Sequence, residues 1–132
     1  MLEYFLVAVG GALGSVARHW FSGLVARSFG ETFPWGTMLV NVTGSFLIGF
    51  FATITGDGGR WLVNRSGRIF FMVGICGGYT TFSSFSFQTL TLMEKGQWLY
   101  AAANAVLSLV LCLVAVWLGY LVAKSMNFTR GA

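Results

Sequence analysis

Gly74-Ile75-Cys76-Gly77-Gly78-Tyr79-Thr80-Thr81-Phe82-Ser83-Ser84-Phe85-Ser86 lies in the middle of a run, 69–93, that carries no charge. The run is long enough to cross a bilayer, which takes about 20 apolar residues. Yet the segment is poorly suited to plain lipid. Two adjacent glycines, Gly77 and Gly78, weaken a helix, and six hydroxyl side chains crowd around Phe82 and Phe85. Hydrocarbon tolerates irregular backbone only where protein or a water-filled path covers it. The segment is therefore expected at a subunit contact, a permeation path, or both.

The rest of the chain agrees with a membrane setting. Of 132 residues, 56% are hydrophobic and 9% charged, against about 25% charged in a soluble domain. Residues 32–56 and 96–123 also carry no charge, and the first apolar run, 4–17, resumes after Arg18. Four spans are predicted, near 4–26, 36–56, 68–93 and 97–123. Short loops at 27–35, 57–67 and 94–96 join them. This makes one all-α membrane domain, 1–132, with the third helix broken near its centre. Trp35, Trp61 and Trp98 fall near the predicted interfaces, where amphipathic rings are favoured. The first span is not read as a signal peptide, because Glu3 is its only early charge.

The net charge of +4 does not point to nucleic acid, because the basic residues flank apolar spans and suit lipid phosphate. Arg60, Arg65, Arg68, Lys124 and Arg130 fall on the side of the termini, and Arg27 and Lys95 on the other, with Arg18 ambiguous. Five against two or three places the termini in the cytoplasm. Cys76 and Cys112 lie inside spans and read as packing residues. Two thiols and a single histidine make neither a disulfide nor a metal site expected.

A four-helix subunit this small encloses little, so an oligomer is expected. Gly10 with Gly14, and Gly74 with Gly78, are small-xxx-small pairs that let helices approach closely. Thr37, Asn41 and Ser45 share one face of the second helix, and Asn104, Ser108 and Cys112 one face of the fourth. Buried amides need partners. These stripes read either as interhelical bonding or, with the broken third helix, as a polar track. No Asp or Glu lies within a span, which argues against proton- or cation-coupled transport. The lining is instead rich in donors, including the hydroxyls of Thr37, Ser83 and Ser84. Phe82 and Phe85 can present electropositive ring edges. These ingredients suit a small anion. Arg18 is read either as a snorkelling side chain or as a vestibule charge that gathers anions.

With those residues in view, Gly77 to Ser86 resembles the third-helix motif of the Fluc (CrcB-like) fluoride channels. Gly10-Gly11-Ala12-Leu13-Gly14 with Arg18, and Trp35-Gly36-Thr37 with Asn41, extend the likeness over the whole chain. The resemblance implies a passive, fluoride-selective channel in a prokaryotic inner membrane that exports toxic fluoride. It implies an antiparallel, dual-topology homodimer with two pathways along the subunit interface. Phe82, Phe85 and Asn41 would contact fluoride, while Asn104, Ser108 and Cys112 would form the fourth-helix track. Arg18 would stand near the vestibule. A structural sodium would sit at the dimer centre on the backbone carbonyls of Gly77 and Thr80. Gln88 stands where many relatives have Glu, and the uneven charge leaves room for a heterodimer with an oppositely oriented paralogue. Two other functions compete. A cation-coupled small multidrug exporter would need a membrane carboxylate, and only Glu3 is near. A non-transporting scaffold would use the polar residues as glue. No enzymatic constellation is visible.

Overall fold

The computed structural model describes residues 1–129; Arg130, counted above on the side of the termini, lies outside them. Helix α1 is Leu2–Phe29, with Glu3 in its first turn and Arg27 in its last. Both charges oppose the helix dipole favourably. It ends at Gly30, whose φ of 80° is the left-handed conformation that glycine adopts without strain. Helix α2, Trp35–Ile54, follows Pro34. Segment α3, 65–79, is capped by Asn64, whose Oδ1 accepts the Gly67 N–H at 2.8 Å. It runs as a turn of α-helix, a π-helical stretch over Ile69–Cys76, and a last turn, Gly77–Tyr79. Helix α4 is Phe82–Glu94 and helix α5 is Trp98–Phe128. No strand occurs among the described residues.

The expected spans fall on these helices, which extend one to five residues beyond most of the predicted ends. Trp35 and Trp98 each open a helix. Three stretches are long and apolar enough to cross a membrane: Trp35–Ile54, Arg65–Glu94 and Trp98–Phe128. Helix α1 is long enough, at 28 residues, but Glu3, Arg18, His19 and Arg27 make it more polar. Large apolar side chains such as Leu109, Leu113 and Trp117 face outward, as lipid favours. The core is thin and built from small or compact residues, among them Val40, Ala101 and Ala123.

Packing runs in two pairs, α1 along α3 and α2 along α5. In the first pair the two glycine pairs meet each other. A Cβ on Gly10 would lie 2.7 Å from the Phe70 carbonyl oxygen, and one on Gly14 would run into that of Ile75. The backbones themselves are in contact. Gly77 and Gly78, expected to weaken the helix, do not themselves unwind it. Both remain helical, and Gly78 is small because Gly11 of α1 presses against it. The break lies one turn later, at Thr80 and Thr81, whose ψ angles of 157° and 116° are extended.

Candidate functional site

Two extended residues inside a helical span expose backbone groups that must be satisfied. Asn41 of α2 takes both groups of Thr81. Its Oδ1 accepts the Thr81 N–H at 2.7 Å, and its Nδ2 donates to the Thr81 carbonyl at 2.9 Å. The amide orientation is fixed, because only oxygen can accept that N–H and only N–H can reach that carbonyl. Arg18 Nη1 donates to the Thr80 carbonyl at 3.2 Å, and Ser15 Oγ to that of Gly78 at 3.4 Å. Thr81 Oγ1 then accepts the Ser84 N–H at 3.1 Å and caps α4. The break is thus held open by α1 and α2 rather than left loose.

Against this break lies a groove of about 360 Å³. Asn41, Phe82, Phe85, Ser108 and Cys112 all line it, so most of the expected pathway residues are brought together. Gly77 and Thr80 lie on the same wall. No acidic or basic side chain lines it. The rings of Phe82 and Phe85 are 5.4 Å apart with planes at 53°, and Phe82 is 79% exposed. Asn41 keeps one amide hydrogen beyond the bond to Thr81, since its amide carries two.

Four expected pathway residues, and the expected vestibule residue Arg18, are not among those lining the groove. Thr37 lines a second cleft, of about 620 Å³, with His19, Ser22, Gln88 and Lys95. Asn104 is buried behind the groove, donating to Thr89 Oγ1 at 2.9 Å and accepting from Ser108 Oγ at 3.3 Å. Ser83 and Ser84 line neither cavity; Ser83 faces the Thr81 hydroxyl at 3.4 Å. Arg18 is turned to the break instead of snorkelling away from it.

Sequence reading missed three participants. Ser15 and Thr89 carry no distinctive local signal. Thr81 does, because a Thr directly ahead of a helical run is an N-cap candidate. Gln88 Oε1, in the second cleft, is buried without a donor among the described residues.

The donor set bears on a hard cation at the break. In an unbroken helix the Thr81 N–H would serve the Gly77 carbonyl, but it serves Asn41 instead, which releases that oxygen. The Thr80 carbonyl has a second lone pair beside the one Arg18 takes. Backbone oxygens of this kind are ligands for a hard cation, so the residues fit one, with the Arg18 charge as an opposing cost.

The family model described as CrcB-like protein, Camphor Resistance (CrcB), matches residues 5–120. A protein of Opitutus terrae named fluoride-specific ion channel FluC is 60% identical over 132 residues, the whole of both chains. One of the same name from Rhodospirillum rubrum is 59% identical, over 96% of this chain and 98% of its own. Another, from Methylocella silvestris, is 54% identical, over 99% of this chain and 100% of its own.

Proposed function

The chain belongs to the CrcB-like family, and from that premise we infer that it is a fluoride-specific ion channel. It is a multi-pass membrane protein that conducts an ion and performs no reaction on it. The observation that carries this reading is the uncharged groove at a held-open helix break, lined by an amide donor, hydroxyls and two aromatic rings. A small anion loses a large hydration energy on leaving water. Donors at close quarters replace part of that shell, and electropositive ring edges add to it. With no carboxylate to relay protons, movement is passive. Hydrogen fluoride enters a cell neutral, dissociates inside, and the fluoride leaves through the channel down its electrochemical gradient.

The same reading extends to the assembly. All four helical stretches cross the inner membrane of a prokaryotic cell as a single domain, α1 included, and lipid surrounds them. Two copies pair antiparallel, which closes the open side of each groove. The high exposure of Phe82 and the exposed Gly77 support such a seam. A homodimer is the simpler form, and the five-to-two basic bias is what would favour an oppositely biased partner. A sodium ion at the seam would be held by the Gly77 and Thr80 carbonyls and would neutralise oxygens that the break leaves short of donors.

Within the pathway, Phe82, Phe85 and Asn41 contact the ion, with Ser108 and Cys112 further along the wall. Asn104 positions Ser108 from behind. Ser83 and Ser84, beside the rings, and Thr37, in the second cleft, serve the ion's approach, and Arg18 adds positive potential near the break.

The test is fluoride efflux from liposomes containing the purified protein, read with an electrode, with valinomycin balancing charge. Fast release that needs valinomycin, without chloride release from matched liposomes, is expected. Well-folded protein that releases no fluoride would overturn the reading. Phe82→Ile and Phe85→Ile should each slow efflux while leaving the dimer intact. An edge contact of about 1 kcal/mol corresponds to about fivefold per ring. Unchanged rates in both variants would remove the rings from the pathway.

A further inference from the structure

The groove also holds three sulfur atoms whose soft-ligand chemistry the fluoride reading leaves unused, although Cys112 is part of its wall. Met72 and Cys76 lie four residues apart on the π-helical stretch of α3, and Cys112 comes from α5. All three side chains line the same groove of about 360 Å³. Neither cysteine is in a disulfide, and no hydrogen bond engages either thiol among the described residues. No group of three His, Cys, Asp or Glu comes together there, which leaves out the usual zinc-type ligand sets. Two thiols and a thioether are a different set. Thiolate and thioether sulfur select soft, low-coordinate ions such as Cu(I).

We propose that the ion groove doubles as a soft-metal site, in which Cys76, Cys112 and Met72 bind a monovalent ion of the Cu(I) or Ag(I) class that plugs it. Binding exchanges a proton for a metal. The S–H bond of Cys112 or Cys76 breaks, the proton passes to water, and a sulfur–metal bond forms with no change of oxidation state. Met72 adds a lone pair and loses nothing. A bound cation beside Phe82, Phe85 and Asn41 fills the space an anion must cross and presents its charge to the donors there. The blocking part of the proposal rests on the fluoride-channel reading; the binding part does not.

The probe is silver nitrate in chloride-free buffer. Detergent-purified protein passed through gel filtration after silver exposure should retain one silver per chain. Cys112→Ser, an isosteric change, should weaken retention at least tenfold, and the Cys76→Ser/Cys112→Ser double variant should abolish it. In liposomes, the same silver concentration should stop fluoride efflux from wild type and leave the double variant at its own silver-free rate, and dithiothreitol should reverse the block. If the buried Cys76 change prevents folding, the comparison of wild type with Cys112→Ser and Met72→Leu decides. No retained silver in wild type, or equal retention in the variants, overturns the site. Retained silver with unaltered efflux overturns the plug. Silver retained by protein that never conducts fluoride leaves the site standing and sinks the channel reading instead.

Discussion

Gly78→Val should yield no folded subunit, whereas Gly77→Val should yield a folded subunit with impaired pairing. The two residues are neighbours in the same helical turn, yet their surroundings differ. A Cβ on Gly78 would run into the Gly11 carbonyl oxygen and stand 2.9 Å from the Gly11 Cα. Those are backbone atoms of α1, so no flexible side chain can yield. The helices would have to part, and overpacking even where side chains can move costs about 1–3 kcal/mol. Parting also pulls Ser15 from the Gly78 carbonyl and Arg18 from that of Thr80. Against a total stability of about 5–15 kcal/mol, that combination leaves little. At Gly77 the nearest atom to a new Cβ is the Met72 carbonyl oxygen at 3.9 Å, an ordinary contact. Only something outside the subunit can object to a side chain there. Size-exclusion profiles, helical circular dichroism and thermal melts of the two variants separate the cases. Wild-type melting in Gly78→Val would show that α1 and α3 can spread at no cost. An intact dimer in Gly77→Val would remove Gly77 from the proposed seam.

That contrast also marks where sequence reading reaches its limit. Charge-free runs locate helices because burying charge in lipid is expensive, and those runs needed only small changes at their ends. The function of a glycine is less legible. A missing side chain serves an unwound turn and a close helix contact equally well, and only the position of α1 decides between them. The local sequence announces a weak point, but which residues unwind depends on Asn41, forty residues away. The polar stripes share a face without opening into a single cavity. Thr37, Asn41 and Ser45 share a face, but eight residues of helix span about 12 Å. Asn41 and Ser45 therefore reach the groove while Thr37 reaches the second cleft. Ser83 and Ser84 stay outside the groove for an angular reason. With about 100° of turn per residue, a face that presents Phe82 and Phe85 turns the two serines between them away.

Asn41→Asp should reduce fluoride efflux by about three orders of magnitude at neutral pH, in protein that still purifies folded. The substitution keeps the shape of the side chain and one of its two bonds, since a carboxylate oxygen still accepts the Thr81 N–H. The other bond inverts. The Nδ2–H that donates to the Thr81 carbonyl at 2.9 Å becomes an oxygen facing an oxygen, with no proton between them. The groove also gains a negative charge on a wall that carries none. A fluoride passing about 4 Å from that charge meets about 4 kcal/mol of repulsion at an effective dielectric of 20, or about three decades in rate. Protonating the carboxyl restores a donor toward Thr81 and removes the charge, so the current of this variant should rise as the bath is acidified. Asn41→Leu separates the two effects, because it loses both bonds and adds no charge. It should melt lower than wild type and stay slow at every pH. Bilayer recordings of both variants at neutral and acidic pH provide the check. Normal current through Asn41→Asp at neutral pH would mean that fluoride never passes Asn41, and that this amide serves only to hold the helix break.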